Sequence, residues 1–374
     1  MYSSLVEKSH LSVEAVKRHV DASSAIRSLI IEGRLKCVNA TPCFDLKQFY
    51  EKTPNSTEWR VIDHCSAVTR LYAIYEQFVH DLLRSFLSFL ERSVAYSDLD
   101  TSLRSEHRRM LGQILMNMDR ERYRSLRFES IIGDLASAFT ANGSYRLLPE
   151  AMLIHEQNLR MSDLATLFSR CGIPNVAAWV SKHRTIKSFF SEQARQSDKA
   201  DAELKQLVDY RNDAAHGGID VDSVLGPEIL IEFAEFLAAL FVALAECAQW
   251  ALIQKSLDYK KTRLAGIINE VYSKNIVVAN VENVTFTVGD LVYLRGDNYC
   301  YSAKIMSLQE NDVDVATRTV LLPVELGLRF DSEPRKAAEI YYVNPEAPKT
   351  APEPAATPDY LQTAPGASQP VASN

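Results

Sequence analysis

Residues 201–218 read DAELKQLVDYRNDAAHGG, from Asp201 to Gly218. On an ideal helix at about 100° per residue, Leu204, Leu207, Val208 and Ala215 fall on one apolar stripe. Arg211 lies in the middle of that stripe. A guanidinium on an apolar face is costly unless it meets an anion, an interface or a substrate. His216 is the last residue before two glycines, and Gly217 suits the residue that ends a helix. The stretch therefore predicts a helix over 198–216 that carries a misplaced cation and finishes on an imidazole.

The chain around this helix reads the same way. Pro227 suits a first helical turn, and 228–260 follow as a long apolar helix. The longest stretch free of polar residues in it is Phe236–Ala245. A bilayer span needs about 20 apolar residues, so the pattern indicates a buried helix and no membrane segment. Upstream, 60–93 carry Leu71, Tyr72, Tyr75, Phe78, Val79, Leu82 and Phe86 on one stripe. Helical spacing also marks 11–32, 101–117, 129–141, 161–172 and 175–196. A loop containing Pro42, Pro54 and Asn55 separates the first two helices.

The texture changes near residue 275. NIVVAN, VTFTV, LVYLR, AKIMSL, VDVAT and EIYYV are short β-branched or alternating runs divided by turn residues. About six such strands suggest a small all-β barrel. Seven of the 14 prolines fall in the last 30 residues, a composition that cannot bury a core. The predicted architecture is a mainly α-helical bundle, a small β-barrel and a disordered Pro-rich tail. Its parts are an N-terminal helical extension (1–55), the bundle (56–265), the barrel (275–344) and the tail (345–374).

Composition narrows the function. The 374 residues are 47% hydrophobic and 24% charged, with net charge −7, which argues against bulk electrostatic binding of nucleic acid. Any RNA contact must come from a local basic surface. Cys37, Cys43, Cys65, Cys171, Cys247 and Cys300 show neither CxxC nor zinc spacing, so they read as reduced thiols of a cytoplasmic protein. The N-terminus lacks the pattern of a secretory signal. Phosphate-loop, dinucleotide, HExxH and GxSxG motifs are lacking, and no cofactor or metal is implied.

Arg211, Asn212 and His216 form the candidate catalytic set. The negative end of a helix dipole favours a cation, and an imidazole there can exchange protons. The guanidinium offers a planar fork of donors that suits a phosphate. Asn212 sits between the two in angle and can hold either the ring or a phosphate oxygen. A proton-exchanging group beside a fixed cation is what cleavage of RNA by its own 2′-hydroxyl requires, without a metal.

Tyr210-Arg211-Asn212-Asp213-Ala214-Ala215-His216-Gly217 resembles the Arg-polar-x-x-x-His motif of the HEPN superfamily. Leu71-Tyr72-Ala73-Ile74-Tyr75-Glu76-Gln77-Phe78-Val79 resembles the first core helix of its bacterial ribonuclease and toxin-like branch. The resemblance covers about residues 60–260. It implies a bundle of four or five helices and a homodimer whose Arg/His pairs face each other across a cleft. The implied activity is metal-independent endoribonuclease action in bacterial defence, stress response or as a toxin, held in check by a protein inhibitor or antitoxin. The alternative is a non-catalytic HEPN dimerisation module with the barrel as its partner-binding part.

Other residues are weaker candidates. Glu76 can orient Arg211 or His216, or be a solvated boundary residue; Tyr210 is a supporting residue. His80 reads as an exposed polar residue. Arg104, Arg108, Arg109, Arg120, Arg122 and Arg124, with Arg127 and His107, can track an RNA backbone or pair with nearby acids. Tyr123 can stack on bases, whereas Phe128 reads as core. The barrel strands around Val288–Tyr293, Ala303–Gln309, Glu325–Phe330 and Glu339–Tyr342 are similar in order to the second-domain barrel of translation GTPases. That implies a module contacting RNA, ribosome or protein.

Overall fold

The computed structural model describes residues 2–34, 46–140, 145–155, 157–192, 200–216, 224–258 and 262–343. The Pro-rich tail, the Gly217-Gly218 stop, Pro42, Cys37 and Cys43 lie outside the described residues. Eleven helices are described, followed by nine strands.

Three long helices organise the bundle: α1 (Ser3–Ile31), α3 (Ser56–Ser93) and α11 (Pro227–Asp258). α3 starts at a capping box: Asn55 accepts from the Glu58 amide at 2.9 Å, and Glu58 accepts from the Asn55 amide at 3.0 Å. Its expected stripe is fully buried, from Leu71 to Phe86. Val13, Val16 and Val20 of α1 and Phe233, Phe236 and Phe241 of α11 share that core. α1 is also fastened to α3 by a buried ion pair, Arg27–Asp63 at 2.9 Å, whose carboxylate accepts from Ser23 as well. Pro227 is the first residue of α11, as its chemistry predicts. No helix among the described residues is long and apolar enough to cross a membrane.

Shorter helices fill in around these: α2 (Leu46–Lys52), α4 (Thr101–Leu115), α5 (Phe128–Ser137), α6 (Pro149–Met152) and α7 (Met161–Arg170). The helix expected over 175–196 is two, α8 (Val176–Lys182) and α9 (Arg184–Glu192). His183 breaks it with extended backbone, ψ 142°. The reason is tertiary: His183 and Thr185 turn inward to bond Glu246 and the Ala239 carbonyl of α11. α10 (Ala200–His216) packs across α3.

Strand β1 (Thr262–Val271) begins directly after α11, where the sequence pattern left a gap. The others are β2 (Ile276–Val281), β3 (Val284–Thr287), β4 (Leu291–Gly296), β5 (Tyr299–Glu310), β6 (Val313–Asp314), β7 (Thr317–Val320), β8 (Val324–Phe330) and β9 (Glu339–Val343). The order β4-β9-β1-β2-β8-β5 closes through a β4–β5 pairing into a six-stranded antiparallel barrel. β1 escapes a search for alternation because its burial is irregular around a bulge between Leu264 and Gly266. Gly266 is required there: a Cβ would stand 2.3 Å from the Asn280 carbonyl oxygen of β2.

The barrel is seated on the C-terminal half of α11. Ile253, Trp250 and Leu257 pack against Tyr293, Cys300 and Tyr341. Glu246, almost fully buried, joins three parts of the chain. It accepts from the Arg184 guanidinium at 2.6 Å and the Cys300 amide at 2.9 Å, and lies 3.1 Å from His183 Nε2. Burial pushes its carboxyl up, but the His183 ring, Arg184 and the Cys300 amide outweigh burial and hold it below the ordinary carboxylate range.

Candidate functional site

α10 delivers Arg211 to the surface of α3. Leu204, Leu207 and Val208 are buried on the expected stripe. The stripe ends there, because Ala215 is exposed. The last turn of α10 leaves the core, and Arg211 sits half-buried at the boundary. Tyr210 anchors this turn, its ring packed edge-on against His64 of α3 at 5.6 Å and against Phe233 of α11 at 6.1 Å.

Arg211 has no acidic partner within ion-pair distance among the described residues. Its guanidinium lies over the Tyr72 ring, 4.9 Å from the centroid, and donates to Asn212 Oδ1 at 3.2 Å. Asn212 Oδ1 also accepts from Asn158 Nδ2 at 2.7 Å. Tyr72 is fixed in turn: its hydroxyl accepts from the Leu159 amide at 3.0 Å and donates to Glu76 at 3.3 Å. Burial, ahead of the Glu76 charge, pushes the Tyr72 phenol up to about 12, so it stays protonated and remains a donor. A cation held by a ring and an amide keeps its charge available to a ligand.

Glu76 orients neither Arg211 nor His216 directly. It bonds Tyr72 and approaches His155 Nε2 at 3.7 Å. His155 lies in the segment between α6 and α7. Its Nδ1 is 2.9 Å from the Gln157 carbonyl, which can only accept, so Nδ1 is the donor there. Nε2 is 3.0 Å from Nε2 of His80. His80, expected on an exposed face, is half-buried, with the His155 ring packed edge-on against it at 5.1 Å. Burial, and then the His155 ring, push its imidazole below the ordinary range. The sequence does not mark His155, Asn158 or Tyr72 as site residues. His155 and Asn158 stand in a loop without periodicity, and Tyr72 is indistinguishable from core.

His216 is the last described residue of α10 and is exposed. It follows Arg211 by five residues, about 140° around and about 7.5 Å along an ideal helix. No hydrogen bond joins the two among the described residues. Asn212, one helical turn before His216, lies on the same face.

The arginine-rich segment stands apart, around a small core of Met110, Leu111, Ile114, Tyr123 and Ile131. Its charges are turned on their neighbours. Arg109 donates to both Glu106 oxygens, Arg124 pairs with Glu121 at 3.0 Å, and Arg122 lies 4.7 Å over the Tyr123 ring. Arg104 donates to Thr101 and Arg108 to the Arg104 carbonyl, while Arg120 is exposed. Two expectations reverse here. Tyr123 is core at 3% exposure, and Phe128 is 53% exposed, because the short turn at 121–123 points the tyrosine inward. His107 adds no charge: burial drives its imidazole down to about 4.

A protein-family model described as RiboL-PSP-HEPN matches residues 43–249, more than half of the chain. The chain belongs to the RiboL-PSP-HEPN family. No curated protein and no solved structure matches it. The HEPN match takes in α3, α10, most of α11 and every residue of the Arg211 site, and it ends before β1. The barrel thus follows the HEPN region as a separate element of the sequence, and no homologue bears out the expected likeness to the second domain of translation GTPases. Among the described residues of the HEPN region and the barrel, no group of three His, Cys, Asp or Glu side chains is placed to hold a metal ion.

Proposed function

We propose that this HEPN protein is a metal-independent endoribonuclease whose site is organised on Arg211. The observation that carries the reading is the state of Arg211: fixed by Tyr72 and Asn212, half-open to solvent, and not neutralised by any described carboxylate. In the reaction the 2′-oxygen of RNA attacks the adjacent phosphorus, and the bond to the 5′-oxygen breaks. The products are a 2′,3′-cyclic phosphate and a 5′-hydroxyl. One proton leaves the 2′-hydroxyl and another reaches the 5′-oxygen. Arg211 stabilises the charge that builds on the phosphorane. His216 is one proton-exchanging group. His155, oriented by the Gln157 carbonyl, is the second, and Asn212 positions Arg211. Recognition through the 2′-hydroxyl sets RNA apart from DNA.

Two such sites face each other in a homodimer on this reading, which brings the exposed His216 of each copy toward a shared cleft. A role in bacterial defence, stress response or as a toxin, with a protein inhibitor, accompanies the family resemblance. The separation of His216 from Arg211 within one chain favours a second reading, a HEPN dimerisation module without catalysis. Labelled RNA incubated in EDTA with wild type, Arg211→Ala, His216→Ala and His155→Ala decides between them. Cleavage leaving cyclic-phosphate ends, lost in Arg211→Ala and His216→Ala, supports the enzyme. No cleavage by any form of the protein leaves the module.

A further inference from the structure

A concave site lies where the barrel meets the bundle. It is a cleft of about 420 Å³ between the α8–α9 break, the β4–β5 hairpin and the β8–β9 loop. Lys182, Arg184, Lys187, Arg295, Arg335 and Lys336 line it, against Asp297 and Glu339. Six cations against two acids leave a local charge of +4 on a chain whose net charge is −7. Two of the cations are already matched: Arg184 to buried Glu246, and Arg295 to Glu339 at 2.9 Å. Lys182, Lys187, Arg335 and Lys336 have no acidic partner among the described residues. They are exposed, yet they converge from two parts of the chain, 182–187 and 335–336, that are about 150 residues apart.

The floor is rigid. The two-residue turn Asp297-Asn298 joins β4 to β5 and folds the Tyr299 ring over Gly296, where a Cβ would stand 2.3 Å from the ring. Arg335 lies 5.5 Å from the Tyr299 centroid, and Arg184 lies over Tyr299 and Tyr301 at 5.5 and 4.8 Å. These rings hold the two guanidinia by cation–π contact at the cleft. The Nε atoms of Arg184 and Arg295 are buried without a hydrogen-bond partner. A cleft with unmatched, convergent cations beside an aromatic ring is built for a multiply charged oxyanion.

We propose that this junction cleft binds phosphate groups, supplied either by an RNA strand or by a free nucleoside polyphosphate. The site involves none of the Arg211 residues and stands or falls independently of the proposed cleavage. The test uses the full-length protein at low salt with three probes: a fluorescent single-stranded RNA 12-mer, ATP and inorganic pyrophosphate. The variants are Lys187→Glu/Lys336→Glu and the milder Lys187→Gln/Lys336→Gln, with Arg211→Ala as the control. These lysines are exposed and unpaired, and thermal midpoints verify folding. We expect the Glu pair to weaken binding by at least about tenfold, and the Gln pair to weaken it less. For RNA, the slope of log affinity against log salt should shrink by about 0.7 for each phosphate that a variant no longer neutralises. Arg211→Ala should keep the cleft's share of binding. Loss with all three probes identifies a free polyphosphate; loss with RNA alone identifies a strand. Wild-type affinity and salt slope in both lysine variants, or no binding of any probe, would overturn the proposal.

Discussion

Arg211→Ala removes a guanidinium that no described carboxylate balances, so stability and cleavage should respond very differently. On the stability side the variant loses the stack on Tyr72, about 0.5–1 kcal/mol for an open site, and a 3.2 Å bond to Asn212, about 1 kcal/mol. No buried anion is stranded, so the 3–5 kcal/mol roughly typical of breaking a buried ion pair does not arise. The expected loss is about 1–2 kcal/mol. Losing one preorganised donor to a developing oxyanion costs about 2.7–4 kcal/mol, or about 10²–10³ in rate. Arg211→Lys keeps the charge and loses the fork and the planar stack, and should fall between, about tenfold down. The assay is single-turnover cleavage of an end-labelled RNA in EDTA, beside urea denaturation of each variant. Cleavage within about threefold of wild type in Arg211→Ala, or a rate loss that merely follows a large loss of fold, would refute the reasoning.

Tyr72→Phe keeps the ring under Arg211 but leaves the Leu159 amide without its acceptor, so about 1–3 kcal/mol of stability should go while cleavage holds. Tyr72→Leu removes the stack and should slow cleavage about tenfold; both are read by the same pair of assays. Glu246→Ala strands Arg184, His183 and the Cys300 amide where barrel and bundle meet, and should cost about 3–5 kcal/mol in urea denaturation. His107 makes stability pH-dependent, since burial holds its folded pKa at about 4 against an ordinary 6.5. Between those values the unfolded chain binds a proton that the native state refuses. The stability is complete above pH 6.5 and falls as pH drops towards 4, by about 3 kcal/mol in all. Denaturation midpoints at several pH values should show this limb, and His107→Leu should flatten it.

Much of the bundle was legible because periodicity is a local signal. The stripe on α3, the capping box at Asn55, Pro227 at the head of α11 and the turn-separated strands each follow from spacing or residue chemistry within a few positions. The Arg211 and His216 pair was visible for the same reason: a cation breaks an apolar stripe, and an imidazole precedes two glycines. The family match over 43–249 agrees with that reading of the helices. What failed depended on distant partners or on a turn that periodicity does not report. His183 breaks a helix because Glu246, 63 residues away, needs a donor. Tyr123 and Phe128 exchanged places because a short turn decides which ring points inward.

By itself, then, the order of residues determined a helical bundle, a β-barrel after it, and an arginine at the edge of a buried stripe. Only the tertiary structure decided what that arginine meets. Tyr72 reaches it from α3, Asn158 in the loop before α7 holds the Asn212 amide that it bonds, and Glu76 turns away to His155. The junction cleft was likewise invisible, since its cations lie on three segments that are far apart along the chain. Spacing along a chain reports which face of a helix a residue occupies. It carries no information about which other face arrives opposite, and charge pairing, ring stacking and proton exchange all depend on that.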